Sequence, residues 1–398
     1  MRIGILHDSL NFAGGAERVC LKTIEALKER GDNVVLGTIE PTDWDGLGET
    51  MGAGTRPDKE ISLLRFKWKT FRIYLSLLAP LLHSRLMEEC DFCIGTNGDL
   101  MPLGTDVSYM HYLPLALSSR GSSEEQYSNI LEMYTLPFKK MQRSMLNRMP
   151  KHSLVTNSCF SRDAIRARLG RDAQVLYPPV ELEIFSAVRA VESRQKTVVT
   201  CGRFSPEKNY EFVLAVAELL PEMEFAILGT FSGVLSRSYY ERLHRIRESK
   251  NLKNVRIVKS SFETMLSVFS SSKVFLSAMT DEAFGLSVVE AMASGLVPVV
   301  HRSGGPWQDI LGRQEGRYGF SFSSAREAAS TIQRLMGDER GRQEIVVRND
   351  DGIQRFSSTL FKQGMCGIVK HMANSRPVKK VWASGWPEGE LRSEFGFS

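Results

Sequence analysis

The sequence predicts an α/β protein with two doubly wound, Rossmann-like domains that face a central cleft. Short β-branched runs alternate with helical patterns, the alternation restarts once after an interruption, and the later strands are nearly continuous apolar runs. The length of 398 residues suits two or three domains. The 42% hydrophobic and 24% charged content excludes a disordered or fibrous chain.

The first half opens with a predicted strand over 2–7, whose apolar run is too short for a secretory signal. A helix is predicted over 16–30. Further strands are predicted over 33–38, 91–96, 107–111 and 153–157. Strands separated by helices indicate parallel βαβ units.

Two adjacent prolines in the sequence LYPPV at 176–180 suit a linker, because proline continues neither a helix nor a strand ladder. A charged stretch follows over 189–196. The second series has strands predicted over 197–201, 225–228, 255–258, 274–277 and 297–300, and helices over 209–220, 239–249, 262–270 and 285–294. A last helix is predicted over 352–373. We therefore predict domains over 1–183 and 184–352, with 353–398 packing back toward the first.

The net charge of +5 suits anionic ligands and is too small to indicate nucleic acid. Cys90 and Cys93 form a C-x-x-C sequence, but no second pair completes a zinc site. Scattered cysteines are typical of reduced thiols in a cytosolic protein, with a redox or metal role as the alternative. We predict no metal site.

Gly14 and Gly15 lie between the first strand and the first helix. Glycines let a ligand approach the backbone, and a helix N-terminus offers N–H groups to an anion. A tight turn is the alternative. In the second half, Arg203 and Lys208 share the loop after a strand, where an arginine fork and a lysine charge can converge on a diphosphate. The alternative is two solvated loop charges.

Glu290 lies in a helix that is otherwise apolar or small, so it is predicted to be buried. A buried carboxylate needs donors, and sugar hydroxyls or a nearby cation would both serve. Phe284, Gly285 and Leu286 offer N–H groups near the start of that helix. The loop 301–306, which contains two glycines, is predicted to be another place of close approach.

His111 ends a predicted strand, and we consider both a structural and a ligand-binding role for it. Basic and aromatic residues interleave over 61–82, as is typical of a segment on an anionic membrane. The residues that carry this pattern are Arg65, Lys67, Trp68, Lys69 and Arg72, and a second basic patch comprises Lys139, Lys140, Arg143, Arg148 and Lys151. The alternative is a helix face packed on the first domain.

Together these motifs resemble glycosyltransferase family 4, which has the GT-B architecture of two Rossmann-like domains. The matching motifs are GGAERV, GRFSPEKN and the E-x7-E pair of Glu282 and Glu290. LYPPV and HRSGGPWQDI are most similar to the mannosyltransferase branch that extends lipid-linked oligosaccharides, including the eukaryotic dolichol-linked α-1,2-mannosyltransferases.

The resemblance implies a retaining, metal-independent transferase that moves a hexose, with GDP-mannose expected as the donor and no further cofactor. The first domain would bind a glycan or polyprenyl-linked acceptor, and the second the nucleotide sugar, in the cytoplasm or on the cytoplasmic membrane face. The resemblance implies that Arg203 and Lys208 hold the diphosphate and stabilise the leaving group, that Glu282 contacts the donor sugar, and that His111 lies near that sugar and the reacting bond, which makes these four the catalytic residues. Donor binding is implied for Glu290 at the ribose, for the backbone of Phe284, Gly285 and Leu286, and for Gly14 and Gly15, with Gly15 near the distal phosphate.

Two other functions stay open. A sugar-nucleotide 2-epimerase has the same architecture and needs no acceptor, and a non-catalytic protein could bind nucleotide sugars. No carboxylate is evident that would serve as a protein nucleophile at the anomeric carbon.

Overall fold

A computed structural model confirms the predicted α/β class with two Rossmann-like units. It describes residues 1–12, 14–51, 54–66, 72–100, 104–114, 125–148, 154–189, 194–231 and 235–374. Within these ranges one sheet has seven strands and the other has six. Neighbouring strands pair in parallel, as expected when helices connect successive strands.

The N-terminal half of the chain forms the first sheet. Its strands are β1 (Arg2–Leu6), β2 (Asn33–Thr38), β3 (Lys59–Ser62), β4 (Phe92–Gly95), β5 (Val107–Met110), β6 (Leu154–Thr156) and β7 (Gln174–Val175), in the spatial order β3-β2-β1-β4-β5-β6-β7. Its helices are α1 (Gly15–Glu29), α2 (Trp44–Met51), α3 (Arg72–Leu75), α4 (Ala79–Glu89), α5 (Glu125–Arg148) and α6 (Cys159–Leu169). The central strands β1 and β4 are buried because helices cover both faces.

The second sheet follows the short helix α7 (Leu182–Ser186). Its strands are β8 (Thr197–Arg203), β9 (Glu224–Thr230), β10 (Val255–Lys259), β11 (Val274–Ser277), β12 (Val297–His301) and β13 (Phe320–Phe322), in the spatial order β10-β9-β8-β11-β12-β13. Its helices are α8 (Tyr210–Leu219), α9 (Leu235–Ser249), α10 (Phe262–Ser271), α11 (Leu286–Ala293), α12 (Ala325–Gly337) and α13 (Glu339–Gly352).

The chain crosses between the two sheets twice, and the two crossings lie side by side. Val180 N–H donates to Phe356 O, and Ser358 N–H donates to Val180 O, each at 3.0 Å. The helix α14 (Ser358–Asn374) then packs on α1, where Lys362 Nζ bonds to Glu25 at 2.9 Å. The last predicted helix therefore starts later than 352, because Ser357 is extended and separates α14 from a 3-10 turn.

The strands predicted from the sequence are present, with ends that differ by at most two residues. The strands β3, β7 and β13 were not predicted. The helices between 40 and 150 were not predicted either, nor were α6, α7, α12 and α13. The edge strand β3 has the sequence KEIS, which lacks the apolar pattern of a buried strand. Residues 375–398 lie outside the described part of the chain.

The charged stretch over 189–196 contributes two arginines that cap a buried helix. Arg189 Nε donates to Ala293 O at 2.5 Å, and Arg194 Nη2 donates to Ser294 O at 2.6 Å. Burial and neighbouring arginines lower the pKa of Arg194 to about 10. The last carbonyls of α11 are therefore bound by guanidinium groups, which the helix dipole also favours.

Candidate functional site

The candidate site lies where the strand order reverses in each sheet. The strand β8 lies between β9 and β11, and β1 lies between β2 and β4. Ligands of open parallel sheets bind at such points, outside the carboxyl ends of the strands. The loop with Lys208 follows β8, Glu282 follows β11, and the glycine loop follows β1. The topology thus explains why these three segments of the sequence lie close together.

The loop after β8 is packed against the sheet through the side chain of Phe204. The Phe204 ring is fully buried over Gly229, where a Cβ atom would come within 2.4 Å of the ring. An added Cβ at Gly202 would lie 3.0 Å from Lys208 Cε, so the lysine folds back over the strand end. Arg203 instead lies at the rim, with 60% of its side chain exposed beside Glu207. The structure therefore buries one of the two predicted diphosphate ligands and leaves the other in solvent.

Lys208 and Glu282 form a largely buried ion pair. Lys208 Nζ donates to Glu282 Oε1 at 2.6 Å, and only 18% and 11% of the two side chains are exposed. Ser277 Oγ, at the end of β11, donates to the second carboxylate oxygen at 3.4 Å. Both oxygens of the first glutamate in E-x7-E are therefore engaged.

Glu290 is buried, as predicted, and its partner is a cation from the other domain. Arg18 Nη1 on α1 donates to Glu290 Oε1 at 2.5 Å. The Glu290 side chain is 7% exposed, and its neighbours Val289 and Ala291 are fully buried. The ion pair left open by the sequence is thus present in this structure.

The amino end of α11 faces the same place. Its N-cap Gly285 has a φ of +98°, in the left-handed region that favours glycine, and an added Cβ would lie 2.8 Å from Pro306 Cγ. The first N–H groups of a helix have no intrahelical partner, so those near Leu286 can serve a bound oxygen. The Phe284 side chain is buried in the core and contacts Tyr177, which leaves only its backbone for such a role.

The glycine loop contacts this helix end directly. A Cβ at Gly15 would lie 2.9 Å from Leu286 Cδ1, so the absence of a side chain allows the two domains to meet there. The Gly14 N–H is already bound, because it donates to Glu17 Oε2 at 2.9 Å, the bond that a glutamate at this position of a helix makes back to the N-cap. A bound anion would therefore use the later N–H groups of α1.

His111 follows β5 in the first domain. Its ring atom Nε2 lies 2.9 Å from Thr96 O, and its backbone N–H donates to Asp99 Oδ1 at 3.1 Å. A carbonyl only accepts, so Nε2 donates this bond, and in the neutral imidazole Nδ1 then carries the lone pair. The carbonyl of His111 accepts a bond from Ser161 Oγ in α6 at 3.4 Å. The imidazole therefore has a structural partner on one nitrogen and an acceptor site on the other.

The glycines of the loop 301–306 approach protein backbone. A Cβ at Gly304 would lie 2.6 Å from Glu282 O, and one at Gly305 would lie 2.4 Å from Ala283 O. Gly305 N–H also donates to Glu282 O at 2.7 Å. The predicted close approach is therefore a contact that fixes the turn carrying Glu282.

Sequence reasoning missed the residues that join the domains on the other side of the site. Asp309 is 3% exposed and accepts bonds from Cys159 N–H at 2.6 Å and Phe160 N–H at 3.1 Å, at the start of α6. Ser158, the N-cap of α6, donates to Ala283 O at 2.6 Å. A serine before a helical pattern signals an N-cap, but no local pattern marks Asp309. Arg18 was part of the quoted glycine motif without a role.

The predicted membrane segment is only partly described. Lys67, Trp68 and Lys69 lie outside the described residues, as does Lys151 of the second basic patch. Arg65 is exposed, and Arg72 begins α3. Among the residues that the structure describes, no helix combines the length and apolar character needed to cross a bilayer.

Cys90 and Cys93 are buried and form no disulfide, and burial raises the pKa of the Cys90 thiol to about 11. The described ranges contain no cluster of three or more residues suited to a metal ion. The chain has one Asp-x-Asp sequence, Asp43-Trp44-Asp45, where Asp43 binds Gly46 N–H and Asp45 pairs with Arg56.

Comparisons with known proteins identify similar sequences and similar folds. Residues 183–349 match the family described as glycosyl transferases group 1. A Dictyostelium discoideum GDP-Man:Man(3)GlcNAc(2)-PP-Dol alpha-1,2-mannosyltransferase is 23% identical over 68% of this chain and 60% of its own length. The human protein of the same name is 27% identical over 55% of this chain and 48% of its own length. The matches thus span about half to three fifths of these relatives.

Solved structures share the fold over nearly the whole chain. Anabaena HepE in complex with UDP has a TM-score of 0.71 at 18% identity and covers 93% of this chain and 100% of its own. Sucrose-phosphate synthase from Thermosynechococcus elongatus has a TM-score of 0.74 at 15% identity and covers 94% of this chain and 100% of its own. Residues 183–349 thus match the group 1 glycosyl transferases, glycosyltransferase family 4, and the two parallel sheets have the GT-B architecture.

Proposed function

We propose that this chain is a retaining transferase that moves a hexose, with mannose from GDP-mannose as the proposed substrate, onto a glycan or polyprenyl-linked acceptor. One observation carries the proposal. Both carboxylates of E-x7-E are buried where the two domains meet, and each lies beside a cation from another element. Such a cluster can accept sugar hydroxyls with its carboxylates and hold a diphosphate with its cations.

The proposed chemistry is electrostatic. Departure of a nucleoside diphosphate develops negative charge, which Lys208 and the amino end of α11 would stabilise from fixed positions and Arg203 from the rim. Glu290 would accept bonds from the ribose and Glu282 from the donor sugar. The acceptor hydroxyl would attack the face that the diphosphate leaves, and the sugar would keep its anomeric configuration. We propose that no metal takes part.

Support for the donor comes from the names of relatives. The curated relatives carry GDP-Man in their names, whereas Anabaena HepE was solved in complex with UDP. The relatives share sequence with this chain at higher identity than HepE does, so we propose GDP-mannose before a UDP-sugar. The lipid acceptor named for those relatives, a dolichol-linked oligosaccharide, also suggests a polyprenyl-linked acceptor here.

We propose that residues 1–183 bind the acceptor, that 184–352 bind the donor, and that 353–398 belong with the first domain. His111 would then lie on the acceptor side with its free Nδ1 lone pair available to a hydroxyl. Arg65, Lys67, Trp68, Lys69 and Arg72 would place the first domain on an anionic cytoplasmic membrane face.

A donor panel tests the activity. Purified full-length protein is given GDP-mannose, UDP-glucose or UDP-GlcNAc, with and without a polyprenyl diphosphate-linked oligosaccharide, and products are analysed by NMR for anomeric configuration. We expect an α-linked product from one α-linked donor, only when acceptor is present. Conversion of a free UDP-sugar to its 2-epimer would instead support the epimerase. Tight donor binding without either product would support a non-catalytic protein.

A further inference from the structure

The strongest unexplained feature is Arg18, whose guanidinium crosses from the first domain to the second. Its Nη1 lies 2.5 Å from Glu290 Oε1. The Arg18 side chain keeps 27% of its surface exposed, whereas that of Glu290 keeps 7%. The arginine therefore reaches in from a solvated helix end to a carboxylate that is nearly closed off from water.

Each glutamate of E-x7-E is paired with one cation, Arg18 or Lys208. Lys208 binds Glu282 and Arg18 binds Glu290, so two cations face two carboxylates. The two pairs adjoin one another at the end of β8. Burial raises the pKa of the Cys201 thiol in β8, the Glu290 charge raises it further, and the Lys208 charge lowers it. The four charged side chains cancel in this structure.

A nucleoside diphosphate would upset this balance. Its phosphates are negatively charged and need cations, but both local cations are already paired with carboxylates. Its ribose carries neutral hydroxyl groups that can donate to a carboxylate. If a carboxylate exchanges its cation for the ribose hydroxyls, the cation becomes available to the phosphates. Arg18 is well placed for this exchange, since it lies one helical turn from Gly14 and Gly15, and Gly15 contacts Leu286 at the start of α11.

We propose that Arg18 is a phosphate-binding residue that changes partner when the donor binds. Its guanidinium leaves Glu290 for the diphosphate oxygens, and the freed Glu290 carboxylate accepts the ribose hydroxyls. The inference rests on the proposed function, because it assigns the third cation of the same donor site. Arginine suits this exchange because its planar fork matches the geometry of both carboxylate and phosphate.

The test compares two variants that break the same ion pair from opposite sides. Arg18→Gln and Glu290→Gln are titrated calorimetrically as full-length protein with GDP, UDP, guanosine and uridine. We expect Arg18→Gln to bind the preferred nucleoside diphosphate about 10- to 100-fold more weakly, as for the loss of a charge-assisted hydrogen bond. Its affinity for the matching nucleoside should stay unchanged or rise, since Glu290 is no longer occupied. Glu290→Gln should weaken the nucleoside and the diphosphate alike.

A purely structural ion pair predicts the same loss from both variants and for both ligands, and that result would overturn the proposal. Tighter binding of both ligands by Arg18→Gln would also overturn it, because Arg18 would then only compete with the ribose. Arg30→Gln is the matched control, since Arg30 follows the same helix and pairs with Asp32 at 2.5 Å, away from Glu290. Failure of the wild-type protein to bind any of the four ligands would refute the proposed function itself.

Discussion

The buried pair of Lys208 and Glu282 allows a quantitative prediction about stability. At an effective dielectric constant of about 20, two unit charges about 4 Å apart interact by about 4 kcal/mol before the cost of desolvation. Exposed pairs retain about 0.2–1 kcal/mol of this, whereas loss of one partner from a fully buried pair costs about 3–5 kcal/mol. With 18% and 11% of the side chains exposed, we expect a coupling energy of about 2 kcal/mol.

A double-mutant cycle measures this coupling. The free energy of urea unfolding is determined for wild type, Lys208→Met, Glu282→Gln and the double variant, with circular dichroism as the signal. Lys208→Met should be the least stable, because it leaves the Glu282 carboxylate buried with only the long bond from Ser277. The double variant should recover most of the loss, because neither charge is then left without a partner.

The exposed pair of Lys250 and Glu218 supplies the control. Its side chains are 41% and 47% exposed, so the corresponding cycle should give less than about 1 kcal/mol. Equal coupling energies for the two pairs would refute the reasoning from burial. A Lys208→Met variant as stable as wild type would refute it as well.

Three further results are expected, each from unfolding or thermal melting of the full-length protein. Gly285→Ala should cost about 1–3 kcal/mol, because alanine at this positive φ is strained and meets Pro306; an unchanged midpoint would contradict this. Asp309→Asn should cost about 0.5–2 kcal/mol through the loss of a carboxylate cap on α6, with Asp172→Asn at an exposed site as a neutral comparison. A hydrogen bond from Arg342 lowers the pKa of Glu339 to about 2, so Glu339→Gln should lower the free energy of unfolding at pH 7. The difference in unfolding free energy between wild type and variant should shrink as the pH falls from about 4.5 toward 2. An undiminished difference at pH 2 would exclude this linkage.

The fold was predictable because its signals are local and repeated. The strands β8 and β11 show as short apolar runs, and the helix α8 shows the apolar spacing of a helix. Because strands and helices alternate along the chain, the strands are expected to pair in parallel. The edge strand β3 was missed because half of its four residues are charged. Strand identity there depends on pairing with β2, which no window of sequence contains.

The burial of the candidate site residues was easier to predict than their partners. Burial of Glu290 followed from its apolar helix, and the loop position of Lys208 followed from the strand that precedes it. The partner of Glu290 could not be predicted, since Arg18 is 272 residues away along the chain. The same holds for Asp309, whose bonds to Cys159 and Phe160 depend on how the two domains meet.

The side-by-side crossings at Val180 and Phe356 have a consequence for motion between the domains. A single flexible connection would allow rotation about three axes. Here the two connections are tied by hydrogen bonds at Val180, and a third chain contact, from Arg355 to Asp309 O at 2.7 Å, lies next to them. Any rotation of one domain relative to the other must therefore bend both connections together. Opening the site would also have to break the ion pair between Arg18 and Glu290 and the bond from Ser158 to Ala283 O.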